Sequence, residues 1–239
     1  MKNHVWADLA ESLTLKSVSI TGEVLGRFGI YTIRQNYEND GENTLEVFYT
    51  FPLSGTASVY DFTARLGDKV IRGIVKEKEQ AKKDYQRAIT RGDSAYLFER
   101  EDGNVFRITL GKIAAGEKVE IILSYIDVHD ITDNIVEVRI PTVVAPRYND
   151  PEKQTYRRES DYTADIVIGI DKALKVADVD SPSHSIKVEN NTVATRKTKL
   201  NKDYILYIKL KDEALSGGYI HKTENGTFAF LQFMPEFPR

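Results

Sequence analysis

Runs of strict alternation, apolar then polar, recur along nearly the whole chain, and a sequence of this kind has few options besides a sheet protein. Leu45, Val47, Tyr49 and Phe51 fall on one face of one extended segment, and Val119, Ile121, Leu123 and Tyr125 on one face of another, because successive side chains of a strand point to opposite sides. Residues 16–25 and 27–37 alternate as well and carry many β-branched side chains, with Gly26 between them as a bend, so they read as a strand pair. Turn residues punctuate the rest. Leu66-Gly67-Asp68-Lys69 joins a strand over 59–66 to one over 70–75, and Glu101-Asp102-Gly103-Asn104 joins 95–99 to 105–110. Ala115-Gly116-Glu117 leads into 119–126, and 135–140 stops at Pro141. Glu38-Asn39-Asp40-Gly41-Glu42 reads as a hairpin tip before the strand that Pro52 ends.

The period changes once. Ile74, Ala81, Tyr85, Ala88 and Ile89 recur at helical spacing, with Glu77 and Glu79 early, Arg87 and Arg91 late and Gly92 at the stop. One principal helix is therefore expected within 77–91, its apolar stripe of Ala81, Tyr85 and Ile89 packed on the strands. Residues 149–162 are polar, aperiodic and read as a linker. Beyond it, 163–170, 185–188, 192–198, 204–210 and 227–234 are again strand-like, separated by Asn190-Asn191 and Gly217-Gly218. The expected fold is all-β: an antiparallel sandwich with one amphipathic helix, followed by a second β-rich segment.

Composition excludes several function classes. The 239 residues carry a formal net charge of -3 with acids and bases interspersed, which offers no surface for nucleic acid or an anionic membrane. There is no cysteine, so disulfides, zinc-thiolate sites, iron-sulfur clusters and thiol catalysis are all absent. No apolar run is long enough to span a bilayer. The opening MKNHVWADLAESLTLKSVSI has neither an apolar signal core nor a cleavage site. That reads as cytoplasmic if Met1 is the natural start, and as secreted or periplasmic with the signal removed if it is not.

Three stretches imitate sites. Asp180-Ser181-Pro182-Ser183 begins like a metal-ion-dependent adhesion motif, but proline takes the place of the first hydroxyl and the stretch reads as a turn. Asp127, His129, Asp130 and Asp133 are of metal-ligating type but match no ligand spacing, and read as a solvated connection. Residues 36–41 resemble a calcium loop whose closing glutamate is replaced by Val47. His4, His184 and His221 are scattered and read as surface or capping residues, and the sequons Asn190-Asn191-Thr192 and Asn225-Gly226-Thr227 are weak signals. No nucleophile elbow, phosphate-binding glycine loop or His-Glu-x-x-His helix occurs. No catalytic, cofactor-binding or metal-ligating residue is expected, and no cofactor.

Taken together, TFPLSGTASVYDFTARLGDKVIRGIVKEKEQAKKDYQRAITRG, then NVFRITLGKIAAGEKVEIILSYI, then IPTVVAPRY resemble the VIT domain, the vault protein and inter-alpha-trypsin domain, in order and spacing over residues 15–148. The resemblance implies a β-sandwich in which a hairpin runs into a helix. It also implies a von Willebrand factor A domain downstream, since FLQFMPEFPR is similar to the segment that leads into that domain's first strand. The expected organisation is an N-terminal extension over 1–14, a VIT domain over 15–148, a linker over 149–162 and a connecting β-rich segment over 163–239. The expected function is a non-catalytic protein-interaction or scaffolding module, with its own downstream A domain and a further protein as partners. Two alternatives stand beside it: a hydrolase built at the junction of the β segments from Asp127, His129 and Asp133, and a carbohydrate-binding module using some of the 13 tyrosines. In the last strand, Phe228, Phe230 and Met234 should face one side and Ala229, Leu231 and Phe233 the other, so that both faces are apolar.

Overall fold

A computed structural model of the chain describes residues 13–73, 98–101, 105–142, 163–200, 202–211, 217–223 and 226–232. Along them run β1 (Leu13–Leu25), β2 (Phe28–Asn39), β3 (Leu45–Pro52), β4 (Ser58–Leu66), β5 (Lys69–Gly73), β6 (Phe98–Glu101), β7 (Val105–Ile113), β8 (Lys118–Val128) and β9 (Asp130–Thr132). β10 (Ile135–Ile140), β11 (Thr163–Ile170), β12 (Val176–Asp180), β13 (Lys187–Glu189), β14 (Thr192–Lys199), β15 (Tyr204–Leu210), β16 (Gly217–Thr223) and β17 (Gly226–Gln232) complete them. An eight-stranded sheet has the order β13-β14-β11-β1-β2-β8-β4-β5, and a four-stranded sheet the order β12-β15-β10-β9. β3, β7 and β6 form a third sheet, and β16 and β17 a two-stranded ribbon.

The alternation read from the sequence is what builds the core. Val18 and Ile20 of β1, Ile121 and Leu123 of β8 and Ile166 of β11 are buried, and they join Val138 of β10 and Leu206 of β15 in one hydrophobic cluster. The large and small main sheets therefore share a single interior. Burying each such side chain is worth about 1.5–3 kcal/mol. β1 and β11 run parallel, from Val18 opposite Ala164 to Val24 opposite Ile170. β10 and β15 pair antiparallel, from Ile135 opposite Lys209 to Ile140 opposite Tyr204. Strands from before and after residues 149–162 thus hydrogen-bond to each other in two sheets.

Residues 36–41 are not a hairpin tip. β2 pairs with β1 and β8, whereas β3 pairs with β7 in another sheet, so the chain crosses between sheets here. Buried Asn39 fixes the crossing: its Nδ2 donates to the carbonyls of Asn43 at 2.8 Å, Ile113 at 3.1 Å and Ala114 at 3.0 Å, and its Oδ1 accepts from Gly41 N at 3.0 Å. β9, β12 and β16 were not expected from the sequence. The helix expected within 77–91 lies outside the described residues.

Lys197 has φ 48°, a left-handed conformation. Its N–H donates to Asp165 Oδ1 at 3.0 Å while Arg196 Nη1 donates to Oδ2 at 3.2 Å, beside the register shift of β11 between Ala164 and Ile166. Left-handed backbone costs a lysine about 1 kcal/mol that glycine avoids. Lys197→Gly keeps the N–H and should raise the unfolding free energy by about 1 kcal/mol in a urea titration. A lower midpoint would mean that the lysine side chain, and not the turn, holds the bulge.

Candidate functional site

The alternation of β8 does not stop at Tyr125. It continues through Asp127 to His129, and both are buried at 3% exposure. The run read as a solvated connection is therefore the inward-facing end of a core strand, and the unbroken period-two parity from Val119 to His129 was the signal for it. Asp130 and Asp133 are exposed. Asp133 and Asn134 have φ 51° and 61° and make the tight turn between β9 and β10.

Asp127 is engaged within the chain through one carboxylate oxygen. Its Oδ1 accepts from Ser54 Oγ at 2.6 Å, Thr56 Oγ1 at 2.6 Å and Val128 N at 2.8 Å, which ties the loop after β3 to the end of β8. His129 N donates to the carbonyl of Arg27 at 2.7 Å. His129 Nε2 lies 2.6 Å from Tyr31 Oη, the phenol donating when that ring nitrogen is bare. Burial holds the imidazole below the ordinary histidine range, against Asp127 and Asp130, which pull it up, and with Arg27, which pulls it down. Burial also pushes the Tyr31 phenol well up, helped by Tyr125, Asp127 and Tyr204. The Tyr31 and Tyr125 rings pack tilted at 38°, with centroids 5.3 Å apart. Tyr125 Oη is buried with no hydrogen-bond partner among the described residues.

Asp127, His129 and Asp133, the candidate hydrolase set, are accordingly split between the interior and an outward turn. Among the described residues no group of three histidines or acids is arranged to hold a metal ion. Ser181 and Ser183 both donate to the carbonyl of Ile205, at 2.6 and 3.2 Å, and Ser183 Oγ accepts from Ile205 N at 2.8 Å. The adhesion-motif look-alike is a turn pinned to β15. His184 Nδ1 lies 2.8 Å from Ser183 Oγ, and its ring lies against Tyr204; it is partly buried rather than a free surface group. Tyr31, Tyr125 and Tyr204 are buried while Tyr60 is exposed. On the outer face of the large sheet, a groove of about 440 Å³ runs past Lys16, Asn36, Lys118 and Glu120. Several of its charges are paired within the chain: Glu120 takes Arg34 and Arg65, and Lys16 takes Asp40 at 2.8 Å.

The β16–β17 ribbon is different in kind. Gly218 stands opposite Leu231 and Ile220 opposite Ala229, and Ile220 and Leu231 are 72% and 79% exposed on that face. On the other face the Phe230 ring meets Phe28 of β2 edge-on, with centroids 4.7 Å apart. Ala229 and Leu231 do face away from Phe230, as expected, while Phe233 and Met234 lie outside the described residues.

Residues 15–125 match the family model described as VIT: Vault protein inter-alpha-trypsin domain. Residues 15–125 are a VIT domain. The chain is 34% identical over 141 residues to protein mono-ADP-ribosyltransferase PARP4 of Mus musculus, which covers 59% of this chain and 7% of that protein. It is 30% identical over 141 residues to von Willebrand factor A domain-containing protein 5A of Mus musculus, covering 58% and 18% respectively. To inter-alpha-trypsin inhibitor heavy chain H3 of Pongo abelii it is 30% identical over 118 residues, covering 49% and 14%. The chain thus spans less than a fifth of each of these relatives. The VIT match ends two residues before Asp127, so Asp127 and His129 lie just past it. β11 lies beyond the VIT match as well, yet pairs with β1 inside it.

Proposed function

We propose that this chain is a non-catalytic scaffolding module whose terminal ribbon seats a von Willebrand factor A domain. The observation that carries the reading is the ribbon's asymmetry: Phe230 leans on Phe28, while Ile220 and Leu231 stand almost fully in water on the opposite face. A two-stranded ribbon is barely stable alone, and two large apolar side chains side by side on it invite a covering surface. A relative carries the A domain in its name, which supports that domain as the cover. The internal engagement of Asp127 and His129 supports the non-catalytic part; the transferase named among the relatives is a protein of which this chain matches 7%. In this reading residues 15–148 and the β-rich segment over 163–239 work as one body through β1–β11 and β10–β15, so a load on the ribbon is passed to the VIT domain.

The 239-residue chain should self-associate through the uncovered face. Light scattering across concentration is expected to give a rising mean mass, and the double variant Ile220→Lys, Leu231→Lys is expected to hold the monomer mass while melting within a few degrees of the parent. Equal association by parent and variant would remove the ribbon face from the account.

A further inference from the structure

At one end of the large sheet, a buried imidazole sits beside a contact between the sheet and the ribbon. His129 Nε2 faces the Tyr31 hydroxyl at 2.6 Å, and a Cβ placed on Gly29 would come within 2.4 Å of that same nitrogen. The ring edge therefore lies close against the start of β2. The backbone N–H of His129 donates to the carbonyl of Arg27 at 2.7 Å, and the next residue after Arg27, Phe28, carries the ring on which Phe230 rests. One short stretch, 27–29, thus serves both the histidine and the ribbon.

We propose that His129 and Tyr31 form a proton-operated latch: with Nε2 bare, the Tyr31 O–H closes onto it and the ribbon stays docked, and a proton taken up at Nε2 opens residues 27–29 and releases β16–β17. The proton comes from solvent, and no bond other than N–H is made. With Nε2 protonated, two hydrogens face each other across the 2.6 Å gap, and the phenol must turn its own away. Asp127 and Asp130 favour the new charge, but burial outweighs them. From β8, Asp127 has its Oδ1 already filled by Ser54, Thr56 and Val128 N. From β9, the Asp130 carboxylate is exposed. From the β1–β2 turn, Arg27 repels. Around Tyr31 stand the phenols of Tyr125 and Tyr204 and, again, the Asp127 carboxylate. Burial disfavours the charged ring, so the neutral latch contributes its full stability above the ordinary histidine value near ~6.5, and that contribution is lost as pH falls below it. Opening the sheet end rehydrates the ring at the expense of the Phe28 contact. This latch goes beyond the docking reading and stands whether or not an A domain occupies the ribbon.

Hydrogen exchange followed by mass spectrometry tests it on the whole chain. Between pH 7.5 and pH 5, the protection factors of residues 217–232, corrected for intrinsic exchange, should fall by up to about tenfold per pH unit below the ordinary histidine value of ~6.5 and level off below the lowered His129 midpoint. His129→Gln, which still offers an acceptor to Tyr31 but takes no proton, should remove the fall. His221→Gln, a change within the ribbon itself, should leave it intact. Constant protection across the range, or the same fall in His129→Gln, would overturn the proposal. Should the glutamine variant not fold, NMR titration of the histidine ring carbons in the parent decides. A His129 midpoint below the ordinary value and coincident with ribbon release supports the latch; a midpoint at or above that value, or one apart from release, overturns it.

Discussion

Gly29→Ala is expected to lower the unfolding free energy by about 3 kcal/mol or more, the upper range for forcing atoms into a filled interior. A Cβ at Gly29 would stand 2.2 Å from Tyr31 Cε2 and Oη and 2.4 Å from His129 Nε2. None of these atoms can withdraw. The Tyr31 ring is held from the other side by β1, where a Cβ at Gly22 would meet Tyr31 Cδ1 at 2.3 Å and the carbonyl of Ile30 at 2.9 Å. Two glycines thus frame one buried ring. The frame makes a second prediction within the first: in a double-mutant cycle, Gly29→Ala added to Tyr31→Ala should cost much less than Gly29→Ala alone, because the clashing ring is gone. Thermal melts of the three variants measure this. An additive cycle, or an unchanged melting temperature for Gly29→Ala, would show that the ring has room to move.

Asn39→Ala should cost about 2–4 kcal/mol, and the loss should appear in the crossing between sheets. The side chain is wholly buried, and its amide supplies donors to three carbonyls, those of Asn43, Ile113 and Ala114. Removing the donor takes a partner from the buried Ile113 carbonyl, at about 1–3 kcal/mol when no water reaches it, and from the part-buried carbonyls of Asn43 and Ala114. The backbone of Asn39 also donates to Glu117 O at 3.0 Å and accepts from Gly116 N at 2.8 Å, and those bonds survive the substitution. Asn39→Asp is the sharper control. It keeps the shape and the Gly41 contact but turns oxygen toward carbonyl oxygen, so it should be as damaging as alanine or worse. A chemical denaturation midpoint within error of the parent for either variant would refute the clamp.

Strands were legible where the reason for them is local. Val119 to Tyr125 alternate because one side of β8 is core and the other is not, and that fact is written residue by residue. β9, β12 and β16 escaped because they are short or carry no apolar alternation. Gly217 and Gly218 read as a separator, yet both lie in β16, where Gly218 gives Leu231 room: a Cβ there would sit 2.8 Å from Leu231 Cδ2. Pairing was not legible. Nothing in residues 13–25 names residues 163–170 as a parallel neighbour, since that choice depends on which faces remain to be buried after the local hairpins have formed. The buried polar end at Asp127 and His129 was misread for a related reason. Acids and histidine suggest a loop by composition, while their parity on β8 places them inside. The VIT domain, by contrast, was recognisable from order and spacing in the sequence, and residues 15–125 match that family.

The scaffold account rests on the ribbon being a seat, and one comparison addresses that directly: this 239-residue chain beside a longer chain that continues into a downstream A domain, each followed by light scattering across concentration and by thermal melting. The account predicts that the longer chain stays monomeric where the shorter one associates, and that β16–β17 melts higher with the A domain in place, since Ile220 and Leu231 are then covered. Equal monomer content and equal melting in the two chains would contradict it, leaving the VIT domain and the A domain as neighbours on a string without a shared interface.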